Sequence, residues 1–241
     1  MGQGTFATFP KEGLQFLRSL KRNNNREWFR RHKTIYETHV KKPMMELIEA
    51  MAREFQLFAP EMIASSKVSA YRIYRDTRFS KDKSPYKTHV AAVFPRRDLG
   101  KHQGAGFYLH IDPTEILIGG GLYMVMPEDL QAIRNHIAEN PKAFIRIVNS
   151  TQFRKLFGAI SGEQLTRVPR GFSADHPAAE YLRYKQFLAG RTFEANTATS
   201  PRFHKLMVES FRGILPLVRF LNEPIVRARR TKERQDAMLD F

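Results

Sequence analysis

The sequence Gly106-Phe-Tyr-Leu-His-Ile-Asp-Pro-Thr-Glu-Ile-Leu-Ile-Gly-Gly-Gly-Leu-Tyr123 decides the fold of this chain. Two apolar runs, 106–111 and 115–123, flank the polar segment 112–114, whose Asp and Pro favour a turn. Two strands joined by so short a link run antiparallel, because a parallel pair needs a crossover of a dozen or more residues. The stretch therefore predicts a β-hairpin.

The residues before this hairpin extend the predicted sheet. Segments 68–74 and 88–94 combine β-branched, aromatic and small apolar side chains, which indicates two further strands. Sequential short strands with tight links are typical of an antiparallel meander rather than of βαβ units. We therefore predict a meander over about residues 67–123.

Helical periodicity appears on both sides of the predicted sheet. Apolar residues recur at helical spacing in residues 14–55, 130–148 and 202–221. Asn25 is a plausible N-cap after the break at Asn23-Asn24. We predict an α+β fold that forms a single domain over residues 1–241, with N- and C-terminal helices packed on the meander. A charged tail from about residue 227 is expected to fray.

The composition limits the possible classes of protein. Hydrophobic residues make up 42% of the 241, including 19 Phe, which is enough to bury a sizeable core. The absence of cysteine excludes disulfides, thiolate metal sites and cysteine catalysis, and fits a reducing compartment. No apolar run is long enough to span a membrane, and the first residues lack an apolar signal segment. These features predict a cytoplasmic protein.

The net charge of +16 favours polyanionic partners such as nucleic acid or phosphorylated molecules. Two stretches carry most of the surplus. Residues 1–42 hold 10 basic and 3 acidic residues, and residues 67–101 hold the same numbers. Solubility alone explains the first stretch about as well as a binding surface does.

The second stretch contains the candidate site, a run of cations and aromatic residues from Tyr71 to His89. The planar guanidinium group of arginine can donate two parallel hydrogen bonds to phosphate oxygens. Tyrosines between the cations can stack on a ring attached to the phosphate. We predict that a basic hairpin over residues 72–89 binds a phosphate-bearing or polyanionic ligand. The predicted contacts are Arg72, Tyr74, Arg75, Arg78, Lys83, Tyr86 and Lys87, with help from Arg167 and Arg170.

The run Arg72-Ile-Tyr-Arg-Asp-Thr-Arg-Phe-Ser-Lys-Asp-Lys-Ser-Pro-Tyr-Lys87 resembles the signature of a widespread bacterial and fungal family of conserved hypothetical proteins, classed as a domain of unknown function. Further similar motifs are Gly119-Gly-Gly-Leu-Tyr123, Arg167-Val-Pro-Arg-Gly-Phe172 and Tyr181-Leu-Arg-Tyr-Lys185. The resemblance covers about residues 6–221. It implies one domain and carries no established activity.

Other residues that can carry chemistry give weaker signals. Asp76, His89 and His110 are the candidates for acid or base catalysis, and Asp76 could instead orient an arginine. His110 and Asp112 share one strand face and His89 could lie on a neighbouring strand, but no known metal motif is present, so the sequence predicts no metal site and no cofactor. Gly119–Gly121 more often marks close backbone approach than a phosphate cradle. Asp175 is expected to cap a helix.

Three kinds of function therefore stay open. A small-ligand enzyme or sensor predicts that the cations converge on one concave pocket. A nucleic-acid-binding protein predicts a broad positive face that joins residues 18–42 to 72–101. A structural or partner-binding domain predicts arginines that pair internally with acids such as Asp76 and Asp82. The sequence indicates neither a reaction nor an oligomeric state.

Overall fold

The computed structural model describes residues 8–239, which form an α+β fold. The helices are α1 Lys11–Arg22, α2 Arg26–Arg31, α3 Lys33–Tyr36, α4 Lys42–Phe58, α5 Ser66–Ser69, α6 Pro127–Glu139, α7 Pro141–Val148, α8 Thr151–Phe157, α9 Ala179–Leu182 and α10 Phe203–Leu239. A π-helix spans Glu37–Lys41 and a 3-10 helix spans Ala195–Thr199. Within the described residues, no helix is both long and apolar enough to cross a bilayer.

One antiparallel sheet contains four strands in the order β1-β2-β3-β4. The strands are β1 Val90–Phe94, β2 Gly106–Ile111, β3 Glu115–Leu122 and β4 Phe187–Glu194. The hairpin predicted from residues 106–123 is confirmed, and so is the strand predicted before it at residues 88–94. The fourth strand lies far along the sequence, in a stretch whose mixed pattern predicted no element.

The strand predicted over residues 68–74 is wrong. Ser65 accepts a hydrogen bond from the N–H of Val68 at 3.3 Å and so begins the short helix α5. After α5, only isolated antiparallel bridges occur, between Ala70 and Ala92 and between Tyr74 and Tyr86. A serine at an N-cap position therefore outweighs the β-branched and aromatic composition of this segment.

The chain divides into two compact units. The first contains Tyr108–Ile118, Arg191–Glu209 and the described residues up to Phe94. The second contains Pro95–Phe107, Gly119–Gly190 and the described residues from Ser210. The sequence-based prediction of a single domain stays a prediction.

The helices of the first unit bury the apolar stripes that predicted them. Leu17 and Leu20 of α1 and Met51 of α4 are fully buried, and Phe55 of α4 meets Phe94 of β1 edge-on at 5.2 Å. Asn25 caps α2, because its side chain accepts a hydrogen bond from the N–H of Trp28 at 2.9 Å. That prediction is confirmed, and the cap fixes where α2 begins.

The second unit is organised by α10. Phe211 stacks on Phe107 of β2 with ring centroids 4.9 Å apart. Buried Asn222 accepts from the N–H of Ala105 at 2.8 Å and donates to its carbonyl at 2.9 Å. Helix α10 continues through the charged residues from 227 to Leu239, and the fraying of this end stays a prediction.

His136 of α6 lies in the second unit and makes the stability of the protein depend on pH. Its ring is buried against Phe220 at 4.4 Å, and its Nε2 lies 3.5 Å from a carboxylate oxygen of Glu223. Burial lowers the pKa of His136 below its usual value, and Glu223 only partly opposes this shift. Because the unfolded chain then binds the proton more readily, stability is greatest above about pH 6.5 and falls as the pH drops through the folded pKa.

We expect His136→Gln to flatten this acid dependence. As the pH is lowered below about 6.5, the thermal unfolding midpoint of the wild-type protein should fall further than that of the variant. Circular dichroism melts at a series of pH values measure both midpoints. If the two proteins lose stability in parallel, His136 is not the group responsible.

Candidate functional site

Residues 73–87, here called the basic loop, fold back on themselves without forming regular strands. The N–H of Arg75 donates to the carbonyl of Pro85 at 2.9 Å, and the N–H of Lys87 donates to that of Ile73 at 2.7 Å. Together with the Tyr74–Tyr86 bridge, these bonds close the base of the loop. The sequence correctly predicted that the chain reverses direction here, but a regular β-hairpin was expected.

Arg75 is held inside the basic loop by an ion pair with Asp82. Its guanidinium also donates to the hydroxyl of Ser80 at 3.4 Å, and its side chain is 26% exposed. Asp82 accepts hydrogen bonds from the N–H and the hydroxyl of Ser84 at 2.9 and 2.6 Å. The bonds from Ser84, and then the one from Arg75, hold the pKa of Asp82 well below its usual range. The carboxylate therefore stays charged and fixes Arg75 in place.

Two more cations of the loop also have partners within it. Arg78 donates from Nη2 and Nε to Asp76 at 2.7 and 3.0 Å, and these bonds lower the pKa of Asp76 to about 2. Lys83 donates to the carbonyl of Thr77 at 3.0 Å. Asp76 thus orients an arginine, which is one of the two roles considered for it. The pair is exposed, so it contributes little stability but shapes the loop.

A concave basic cleft of about 430 Å³ opens beside the loop. Its lining residues come from α2, α3 and the basic loop, and no acidic residue is among them. They are Arg26, Phe29, Arg30, Lys33, Tyr74, Arg75, Thr77, Pro85 and Tyr86. The cleft therefore brings four cations together around one concave surface.

The cations from the helices are the ones most available to a ligand. Arg26 and Arg30 are exposed, and no carboxylate among the side chains that the structure describes pairs with either of them. Lys33 has a weak partner, with its Nζ 3.8 Å from Glu37. A ligand anion that enters the cleft would therefore meet two guanidinium groups that are not neutralised.

Asn24 fixes the helices against the loop. Its side chain donates to the carbonyl of Tyr86 at 2.9 Å and accepts from the N–H of the same residue at 3.1 Å. This two-way bond joins the α1–α2 turn to a residue far along the sequence. It places Arg26 and Arg30, which follow within one and a half turns of helix, at the edge of the loop.

Aromatic rings form the apolar side of the cleft. Tyr86 is 5% exposed and stacks on Phe29 with centroids 4.0 Å apart, so one of its faces is already covered. Tyr74 is 53% exposed and leans on Tyr86 at 5.4 Å. Of the two tyrosines predicted to pack on a ligand ring, Tyr74 therefore has the accessible surface, whereas Tyr86 supports it.

The remaining predicted contacts do not line this cleft. Lys87 lies over the ring of Tyr71 at 5.0 Å; burial, and then the charge of nearby Arg72, lower its pKa. Arg167 and Arg170 belong to the second unit, where Gly171 follows them with a φ of 90°. For these residues ligand contact stays a prediction.

Asp175 does not cap a helix, so that prediction is wrong. Helix α9 begins at Ala179, after Ala178, and it is His176 whose Nδ1 accepts the N–H of Ala178 at 3.0 Å. The other ring nitrogen of His176 lies 3.1 Å from the carbonyl of Ala138. His176 thus has a structural role that the Asp-His-Pro pattern did not reveal.

His89 and His110 lie together in the first unit. Their rings stack with centroids 4.1 Å apart and an interplanar angle of 21°. Burial lowers the pKa of His89 to about 4, with further lowering by His110 and Lys87. Burial also lowers the pKa of His110. Both imidazoles are therefore neutral near pH 7, the form that accepts a proton or binds a metal.

Sequence reasoning missed Arg26, Arg30 and Lys33 as site residues. The signal for them was present, because residues 1–42 carry a surplus of seven positive charges. That surplus identified a basic region but did not show which of its cations would meet the loop.

Comparison with known proteins supports the resemblance noted in the sequence. The model of a family described as "Conserved hypothetical protein (DUF2461)" matches residues 12–220. The match includes α2, the basic loop, His89, His110 and the whole sheet. No curated protein matches the chain.

Proposed function

The chain belongs to the DUF2461 family of conserved hypothetical proteins, and we propose that it binds a phosphate-bearing small molecule in the basic cleft. The observation that carries this proposal is the convergence of Arg26, Arg30 and Arg75 on one concave surface, whose described lining residues include no acidic side chain. Guanidinium groups bind phosphate through charge-assisted hydrogen bonds, which are about twice as strong as neutral ones. The anion would sit between α2 and the basic loop.

The shape of the cleft favours a small ligand. Its volume of about 430 Å³ falls within the range of roughly 300–1,000 Å³ that is typical of small-molecule sites. The exposed ring of Tyr74 stands beside the cations and offers a stacking surface for an aromatic group. A nucleotide combines both features, since its phosphates would meet the arginines while its base packs on Tyr74.

Nucleic-acid binding is the second candidate, and one observation favours it. Phe79 at the tip of the basic loop is 95% exposed, and the guanidinium of Arg78 lies 5.7 Å from its ring centre. An exposed aromatic ring beside cations is the arrangement on which single-stranded bases stack. In this alternative the tip of the loop, rather than the cleft, would make the main contacts.

The test is a binding titration with two probes. Tag-free protein is titrated into fluorescently labelled ATP and, separately, into a labelled single-stranded oligonucleotide of mixed sequence, each across a salt series. We expect saturable one-to-one binding of labelled ATP that unlabelled ATP and pyrophosphate displace. Oligonucleotide binding should be weaker, and ATP should compete with it at the cleft.

The other outcomes overturn the proposal in distinct ways. If labelled ATP does not bind and pyrophosphate gives no heat in calorimetry, the cleft is not a phosphate site. The second candidate is correct if the oligonucleotide binds tightly, is not displaced by ATP and loses affinity steeply with salt. The expected slope of log affinity against log salt is about −0.7 per phosphate contact on a single strand.

A further inference from the structure

We propose that His89, His110 and Asp112 form a binding site for a divalent transition-metal ion such as Zn²⁺ or Co²⁺. One ligand atom from each residue lies within 4.8 Å of those of the other two. The sequence predicted no metal site, and the structure motivates the opposite hypothesis. The inference concerns different residues from those of the basic cleft and does not depend on phosphate binding.

The sheet brings the three residues together. His89 directly precedes β1, His110 lies one residue before the end of β2, and Asp112 directly follows β2. Since β1 and β2 are neighbours, the two histidines meet across adjacent strands. All three side chains are half-buried at the edge of this pair, where an ion from solvent can reach them.

The donor set suits a borderline metal ion. Two imidazole nitrogens and one carboxylate oxygen are the ligands of three-residue zinc sites and of facial iron sites, which keep positions open for water or substrate. The bond lengths of about 2.0–2.2 Å in such sites require the ligand atoms to move closer than they are now. Binding would therefore require the three side chains to rotate and the stacked imidazoles to tilt apart.

Hydrogen bonds already orient two of the three ligands. Nδ1 of His110 lies 3.3 Å from the hydroxyl of Tyr108, which leaves Nε2 for a metal. One carboxylate oxygen of Asp112 accepts from the N–H and the hydroxyl of Thr114 at 3.0 and 2.7 Å, which leaves the other oxygen. Partners of this kind are typical of metal sites, where they fix the orientation of each ligand.

The residues around the proposed metal site indicate what could bind in the coordination positions that the three ligands leave open. Lys87 stands two residues before His89 in the sequence, and its Nζ lies 5.0 Å from the ring centre of Tyr71. A metal ion bound by the three residues would carry one net positive charge after Asp112 is counted, and Lys87 adds another beside it. An anionic group is therefore the ligand that this site would accept in its open positions.

The test measures metal binding directly. Tag-free, chelator-treated protein is titrated with Co²⁺ in the visible range and with Zn²⁺ by calorimetry. We expect one equivalent per chain and a Co²⁺ spectrum of a low-coordinate nitrogen and oxygen site. Loss of an outer-shell partner already costs about 10–100-fold in metal affinity. Removing a ligand should cost at least as much, so His89→Gln and His110→Gln should each weaken binding by more than about 100-fold, and Asp112→Asn by more than about 10-fold. Zn²⁺ should also raise the unfolding midpoint of the wild-type protein.

His102→Gln is the matched control, because it removes an exposed imidazole outside the cluster. It should leave the affinity for Co²⁺ unchanged. Absence of stoichiometric binding to the wild-type protein overturns the proposal, and so does binding that survives His89→Gln and His110→Gln in variants with wild-type circular dichroism spectra. Labelled ATP binding measured without metal should be the same in all these variants, so failure here is distinct from failure of the phosphate proposal.

Discussion

Replacing Arg26 and Arg30 together by glutamate is expected to lower the affinity for labelled ATP by at least about 100-fold. Each charge-assisted hydrogen bond to phosphate contributes about 1.5–3 kcal/mol, and the substitutions also bring two negative charges to the anion. Both side chains are exposed, and none of the described carboxylates pairs with them. Their replacement should therefore change the fold little, and fluorescence titration measures the loss of affinity.

The double variant Arg22→Glu/Arg53→Glu separates local contact from overall charge. It changes the net charge by the same amount, and both arginines are exposed and do not line the cleft. If the control loses as much affinity as the cleft variant, the ligand responds to the field of the whole protein. If neither variant loses affinity, the arginines of α2 do not bind phosphate.

The sequence predicts the elements that depend on local interactions. The Asn25 cap, the stripe from Leu14 to Leu20 and the turn at Asp112 all involve residues within a few positions of one another, and all are present. The prediction of a strand at 68–74 was wrong because it overlooked another local interaction. Ser65 caps the helix α5, and this signal favours helix over strand. Composition alone does not separate these alternatives.

The parts that could not be predicted depend on contacts between distant residues. Strand β4 pairs with β3, although more than 60 residues separate the two in sequence. The basic cleft depends on the bond between Asn24 and Tyr86, which no periodicity encodes. The charge counts identified both basic regions. Only the fold shows that Arg75 pairs with Asp82, whereas no described carboxylate pairs with Arg26 or Arg30.

Gly119–Gly121 illustrates how the structure separates two interpretations of one motif. A side-chain carbon at Gly119 would overlap the carbonyl oxygen of Ala189, and one at Gly120 would overlap that of Gly106. The glycines thus lie against the backbone of β2 and β4. Close backbone approach, the interpretation favoured from sequence, accounts for all three without a bound phosphate.

We expect Gly121→Ala to be the most destabilising single substitution considered in this chain. Gly121 has a φ of 116°, and a side-chain carbon there would overlap the carbonyl oxygen of Phe187. The positive φ costs a residue with a side chain about 1 kcal/mol, and the overlap costs about 1–3 kcal/mol more. A loss of about 2–4 kcal/mol lowers the unfolding midpoint of a protein of this size by roughly 4–16 °C. Chemical denaturation followed by circular dichroism measures the loss in the free energy of unfolding.

Gly158→Ala is the matched control, because it isolates the backbone term. Gly158 also has a positive φ, 71°, but beyond its own neighbours in the chain no described atom lies within 4 Å of the position a side-chain carbon would take. Its substitution should therefore cost only the backbone strain, about 1 kcal/mol. If both variants lose the same stability, the contact with Phe187 contributes nothing. If the Gly121→Ala variant instead keeps the stability of the wild-type protein but loses phosphate binding, Gly119–Gly121 form a phosphate cradle. The substitution would then act on the bound ligand rather than on the fold.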